Sequence, residues 1–220
     1  MDPCVRTTLT GKALRYQGVA HKTPYPRCRL GGENVTVTPS ETRFRSVSDL
    51  VLETLDQRIA LDWSVPAGSL EWSCWKTVDH MIDCVFSYAF QVASRAQSGF
   101  LPFHELHAMP EAKPSELVTG LRGITELFSG LLGSVPGDVE ASDGVFMLDV
   151  DDWAVRAAYE MLLHTHDVVV GLGARFDPPS SMCAWVITSP KLWMLDRAIA
   201  TTIANPWEAL LLGSGRTPVA

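Results

Sequence analysis

The chain has 220 residues, 46% hydrophobic and 20% charged, a supply of apolar side chains that suits one globular domain with long loops or an appendage. Its formal net charge is −7, but residues 1–40 hold six Lys/Arg against Asp2 and Glu33, so residues 41–220 carry an excess of eleven negative charges. An acidic body without a basic stripe argues against nucleic acid as a partner, since phosphates are met by clustered Lys/Arg, and directs attention to a small-molecule substrate.

No apolar run reaches the ~18 residues of a membrane span, and the N-terminus lacks the apolar stretch of a signal peptide. The five cysteines (Cys4, Cys28, Cys74, Cys84 and Cys183) are odd in number and lack framework spacing. Cys74 and Cys84 fall on one predicted helix, about 15 Å of rise apart, and cannot pair with each other. These features predict a soluble, cytoplasmic protein with reduced thiols and no membrane partner; monomer and homodimer are both left open.

Residues 1–36 are basic, rich in Thr, Arg and Gly, and without periodicity; they read as a flexible, disordered arm or as a misassigned upstream extension. Cys4, His21 and Cys28 make a weak candidate zinc site, since they supply no close ligand pair. From Pro39 the pattern turns helical. Pro39-Ser40-Glu41 is a start signal, and Phe44, Val47, Val51, Leu55 and Ile59 recur at steps of three and four. Residues 60–71, with Pro66 and Gly68, read as a loop. A second helix is predicted from near Ser73 to about Ala96, with Val78, Met81, Ile82, Val85, Phe86 and Ala89 on its apolar face. After a loop over 98–113, Pro114-Ser115-Glu116 opens a third helix that buries Leu117, Leu121, Ile124, Phe128, Leu131 and Leu132 and ends at Gly133 or Pro136. Residues 135–149 read as a loop. Asp151 and Asp152 favour the start of a fourth helix, which runs to Gly171 or Gly173. The tail, 178–220, reads as shorter helices around Met182–Ile187, Leu192–Ala204 and Trp207–Leu212. The expected fold class is all-α: a four-helix bundle over residues 37–177 with one or two long connections. Its C-terminal tail would be packed against it through Trp185, Trp193 and Trp207.

Two polar stripes interrupt the apolar helices. In the second helix Thr77, His80, Cys84, Ser87 and Gln91 step by 3, 4, 3 and 4; in the fourth, Glu160, His164 and Asp167 do the same. If the stripes face each other they enclose polar groups that need partners, and a metal ion satisfies His and Glu together. Two His and one Glu leave coordination positions open, as at a catalytic site. His166 lies roughly 200° around the helix from His164 and is excluded from the ligand set. Asp167 is placed to orient the His164 imidazole. On residue pattern alone the alternative is a hydrogen-bonded core His80 beside a solvated Glu160–His164 pair. Cys84 reads as a small core residue or a reactive thiol, and Trp63, Trp72, Trp75 and Trp153 as core anchors or pocket walls.

Trp72-Ser73 followed by His80 resembles the W-[ST]-x6-H element of the DinB-like family that includes the metal-binding N-terminal domain of mycothiol-dependent maleylpyruvate isomerase. Residues 62–72 are similar to the loop that precedes that element. Glu160-x3-His164-x2-Asp167, followed by Gly171 and Gly173, resembles the family's E-x3-H-x2-D element. The resemblance covers roughly residues 40–175 and implies a DinB-like four-helix bundle in which His80, Glu160 and His164 hold one divalent metal. Zinc is the first choice from the ligand types, with nickel, iron or manganese open. The implied chemistry is a metal- and thiol-dependent transferase or isomerase, with mycothiol or another small thiol as co-substrate. Metal-dependent hydrolysis and non-catalytic sensing are the alternatives. Two positions depart from the family pattern: Lys76 stands where an acidic residue is usual, and Gly68-Ser69-Leu70-Glu71 replaces Cys-Pro-Gly. Neither removes a ligand, and the electrophile is left open.

Overall fold

The structure is a computed structural model and describes residues 38–99 and 105–218. The expectations for residues 1–36 lie outside the described residues.

Four long helices and a helical tail make up most of what is described. Helix α1 (Pro39–Asp56) begins where Thr38 accepts the Glu41 N–H at 3.1 Å, with Pro39 supplying the pre-set φ of a first helical turn. Helix α2 (Cys74–Ser94) is capped by Ser73, which accepts the Lys76 N–H at 3.2 Å. It stops at Arg95, whose φ of 51° is left-handed, slightly short of the expected Ala96. Helix α3 (Pro114–Ser134) opens with the Lys113 N–H donating to the Glu116 carboxylate at 2.7 Å. Helix α4 (Val150–Gly171) opens with a reciprocal pair of bonds between Asp149 and Asp152. The expected acidic start is therefore a capping box centred one residue before the helix.

Helices α1 and α2 each pack against both α3 and α4, so the four enclose one core. Phe44, Val47, Val51 and Leu55 of α1 are fully buried, with Phe44 edge-on to Phe128 at 5.0 Å. Each such side chain contributes about 1.5–3 kcal/mol on leaving water. Ile59 falls in the turn beyond α1 and is only partly buried. Helix α4 is the central element: Trp153, Met161, Leu162 and Val168 are all fully buried. The tail explains why it is covered on so many sides.

In the tail, α5 (Ser180–Thr188) packs on α4 and on α7 (Pro206–Gly213), and the single-turn α6 (Arg197–Ala200) packs on α7. The helix expected around Leu192–Ala204 is reduced to this single turn. Asp196 instead caps a new turn by accepting the Ile199 N–H at 3.2 Å, leaving Leu192 and Leu195 buried in turns. Trp207 is buried and donates its indole N–H to the Phe176 carbonyl at 3.1 Å, whereas Trp193 is 57% exposed. The predicted loop 135–149 also contains a short antiparallel hairpin, β1 (Ala141–Ser142) and β2 (Met147–Leu148). Gln91 of α2 donates to the Ser142 carbonyl at 3.0 Å, which ties the hairpin to the far end of the α2 polar stripe.

The loop between α1 and α2 is folded tightly against the C-terminal end of α4. The Cys74 N–H donates to the Val65 carbonyl and the Trp75 N–H to the Trp63 carbonyl, both at 2.9 Å. A Cβ on Gly171 would strike the Pro66 carbonyl and lie 2.9 Å from the Ala67 Cα. The glycine that follows the E-x3-H-x2-D pattern is thus required by a backbone approach. Among the described residues, no helix is long and apolar enough to cross a membrane.

Candidate metal centre

The α2 and α4 stripes do face each other. The donor atoms of His80, Glu160 and His164 all lie within 4.8 Å of one another, although the residues come from helices about 80 positions apart in the chain. His164 Nε2 is 3.3 Å from Glu160 Oε2, and the His80 and His164 rings meet edge-to-face at 5.1 Å. Trp72, 43% exposed, stands edge-on to the other side of His80 at 5.0 Å. Trp63 and Trp153, by contrast, are core residues, and Trp75 donates to the Ala112 carbonyl at 2.6 Å.

Each ligand candidate is held by a neighbour. Asp167 Oδ2 lies 3.2 Å from His164 Nδ1, which leaves Nε2 directed at Glu160. Tyr88, two turns after His80, donates its hydroxyl to Glu160 Oε1 at 3.3 Å. Cys84 Sγ lies 3.3 Å from His80 Nε2. Arg216, from the segment after α7, donates through Nε to Asp167 Oδ1 at 2.8 Å and through an η nitrogen to Oδ2 at 2.6 Å. His166 points away, edge-on to Trp207 at 5.5 Å, in keeping with its exclusion from the ligand set.

The electrostatics suit a cation. Burial and the neighbouring His164 push the His80 pKa down, which favours the neutral imidazole, the form that ligates metals. Burial alone would also lower that of His164, but hydrogen bonds to Asp167 and Glu160 on its two nitrogens raise it. Burial would raise the Glu160 pKa, yet the His164 hydrogen bond and the His164 and His80 charges lower it. His164 and Glu160 thus favour each other's charged forms across the gap between Nε2 and Oε2. Two imidazoles and a carboxylate, one imidazole beside a buried aspartate, are a donor set that could hold a metal ion.

Sequence reasoning missed Tyr88 and Arg216. Tyr88 continues the four-residue stepping His80, Cys84, Tyr88, so the signal was available. Arg216 lies 49 residues beyond Asp167 in a segment without periodicity, and nothing in the pattern pointed to it. The three described cysteines, Cys74, Cys84 and Cys183, are free thiols.

No family model, no curated protein and no solved structure matches this chain.

Proposed function

We propose that the protein is a DinB-like divalent-metal protein that uses His80, Glu160 and His164 as ligands for thiol-dependent transferase or isomerase chemistry on a small electrophile. The observation that carries this reading is the convergence of three ligand atoms from two helices at a half-open site, with Asp167 behind one imidazole. The W-[ST]-x6-H and E-x3-H-x2-D resemblance supplies the reaction class.

A divalent ion lowers the pKa of a bound thiol or water and so supplies a nucleophile at neutral pH. Around it, Glu160 is kept as a carboxylate, its second oxygen occupied by the Tyr88 hydroxyl. Trp72 offers an aromatic wall on the open side, where a small substrate would approach. Cys84 is a poor internal nucleophile: burial and the nearby Glu160 and Asp83 charges push its thiol pKa well above the ordinary value. The reacting thiol is therefore a diffusible co-substrate in this reading.

The test is turnover of a panel of small electrophiles by zinc-, nickel- or manganese-loaded protein, with and without mycothiol, cysteine or glutathione. Thiol-dependent turnover abolished by His80→Ala supports the proposal. Thiol-independent hydrolysis replaces it with hydrolase chemistry, and retained metal without turnover replaces it with a binding or sensing role.

A further inference from the structure

Behind Asp167 the structure holds a second charged group that the helical bundle itself does not supply. The Asp167 carboxylate is almost fully buried, yet its two oxygens serve three donors: Arg216 Nε on Oδ1, and both an Arg216 η nitrogen and His164 Nδ1 on Oδ2. A carboxylate gripped by a two-pronged guanidinium has its plane and position fixed, because both N–H directions are set by one rigid group. The imidazole that shares Oδ2 is then fixed too.

The chain delivers Arg216 by a dedicated turn. Helix α7 ends at Gly213, where an added Cβ would lie 2.7 Å from the Leu195 side chain and 3.1 Å from the Asp196 carbonyl. The Asp196 N–H donates back to the Gly213 carbonyl at 2.8 Å. Gly215 then adopts a φ of +80°, and the Arg216 N–H closes on the Leu211 carbonyl at 2.8 Å. This left-handed reversal is one that glycine adopts freely, and it aims the next side chain at α4.

We propose that Arg216 is a positioning residue of the metal centre, acting through Asp167 to hold His164 in the orientation and tautomer that present Nε2 to the ion. This rests on the metal reading above. It makes the C-terminal segment part of the site: a four-group line, Arg216–Asp167–His164–Glu160, runs from the tail to the ligand shell.

The experiment is titration with Co(II), followed by its visible absorption, of the full-length chain and of Arg216→Ala, Arg216→Lys, Asp167→Asn and the Arg216→Ala/Asp167→Asn double variant. Circular dichroism establishes the fold of each, and Arg216→Gln stands in for the alanine variant if that variant does not fold. Loss of a group that orients a ligand weakens metal binding about 10- to 100-fold. Arg216→Ala is expected to show that loss with an altered Co(II) spectrum. Arg216→Lys should recover part of it, since the charge remains but the fork does not. In the Asp167→Asn background the further change of Arg216 should alter affinity by less than about twofold, because the two act in series. Parent-like affinity in Arg216→Ala or its Gln stand-in overturns the inference while leaving the metal reading intact. So does a loss undiminished in the Asp167→Asn background, which would mean that Arg216 acts through general packing. A parent that binds no Co(II) overturns the metal reading, and the inference with it.

Discussion

Replacing Asp143 by Asn severs a buried ion pair between the β1–β2 hairpin and α4. Asp143 sits in the turn of the β1–β2 hairpin with its side chain fully buried. It pairs with the buried Arg156 of α4 at 2.6 Å, and Oδ1 also accepts the Val145 and Phe146 N–H groups at 2.7 and 2.6 Å. Trp193 donates its indole N–H to Oδ2 at 3.2 Å. Asn keeps the shape but leaves the Arg156 guanidinium uncompensated beside Trp153, and breaking one partner of such a pair costs about 3–5 kcal/mol. For a chain of this size that is a fall in Tm on the order of 10 °C. The sign of the pH dependence follows from the Asp143 pKa. Burial opposes its charge, but the turn N–H groups and Arg156 hold the pKa below the ordinary value of 3.8. The pair's contribution is thus fully present above about pH 4 and is lost as pH falls through the depressed folded-state value. Urea unfolding of parent and Asp143→Asn from pH 7 down to pH 3 measures this directly. The gap should be widest at pH 7 and narrow toward the acid end. A gap under about 1 kcal/mol at pH 7, or one that is constant with pH, would show that the charged pair does not stabilise the hairpin on α4.

Other outcomes follow from the packing. Gly171→Ala places a methyl group against the 66–68 backbone and should destabilise the fold by about 1–3 kcal/mol; a variant that melts with the parent would show that the loop yields freely. Burial pushes the Cys74 thiol up to about 11 and the Cys183 thiol up to about 12. Both should resist iodoacetamide at neutral pH in the native protein and react after unfolding, as read by peptide mass mapping. Native labelling at the rate of an exposed thiol would contradict their placement. Phe128→Ala removes the edge-on partner of Phe44 from a fully buried site and should cost about 3–5 kcal/mol in urea unfolding, with a loss below 1 kcal/mol counting against the core described here.

The long helices were legible because their apolar residues repeat at helical spacing over about three or four turns. The Phe44–Leu55 and Leu117–Leu132 series read directly as buried faces. The ligand candidates were legible for the same reason: Glu160 and His164 are one turn apart, and His80 lies in a polar stripe that runs from Thr77 to Gln91. Where periodicity is short, the reading failed. Two-residue strands cannot show alternation, so the hairpin read as a loop. The Leu192–Ala204 stretch is apolar enough for a helix, but the Asp196 cap breaks it, a choice made by one side chain rather than by the pattern. Arg216 carries no local signal at all; its role exists only because Gly215 turns the chain back toward Asp167. The burial of α4 on nearly every side was likewise set by the tail and could not be read from α4 alone.

Whether His80, Glu160 and His164 hold a metal is decided by elemental analysis. The protein is purified without chelator or a polyhistidine tag, beside His80→Ala and His164→Ala. About one equivalent of a divalent metal in the parent, lost from both variants while circular dichroism stays helical, is the predicted result. A parent that neither carries metal nor takes it up on reconstitution, or variants that retain a full equivalent, would contradict the account and leave the facing stripes as a structural polar cluster.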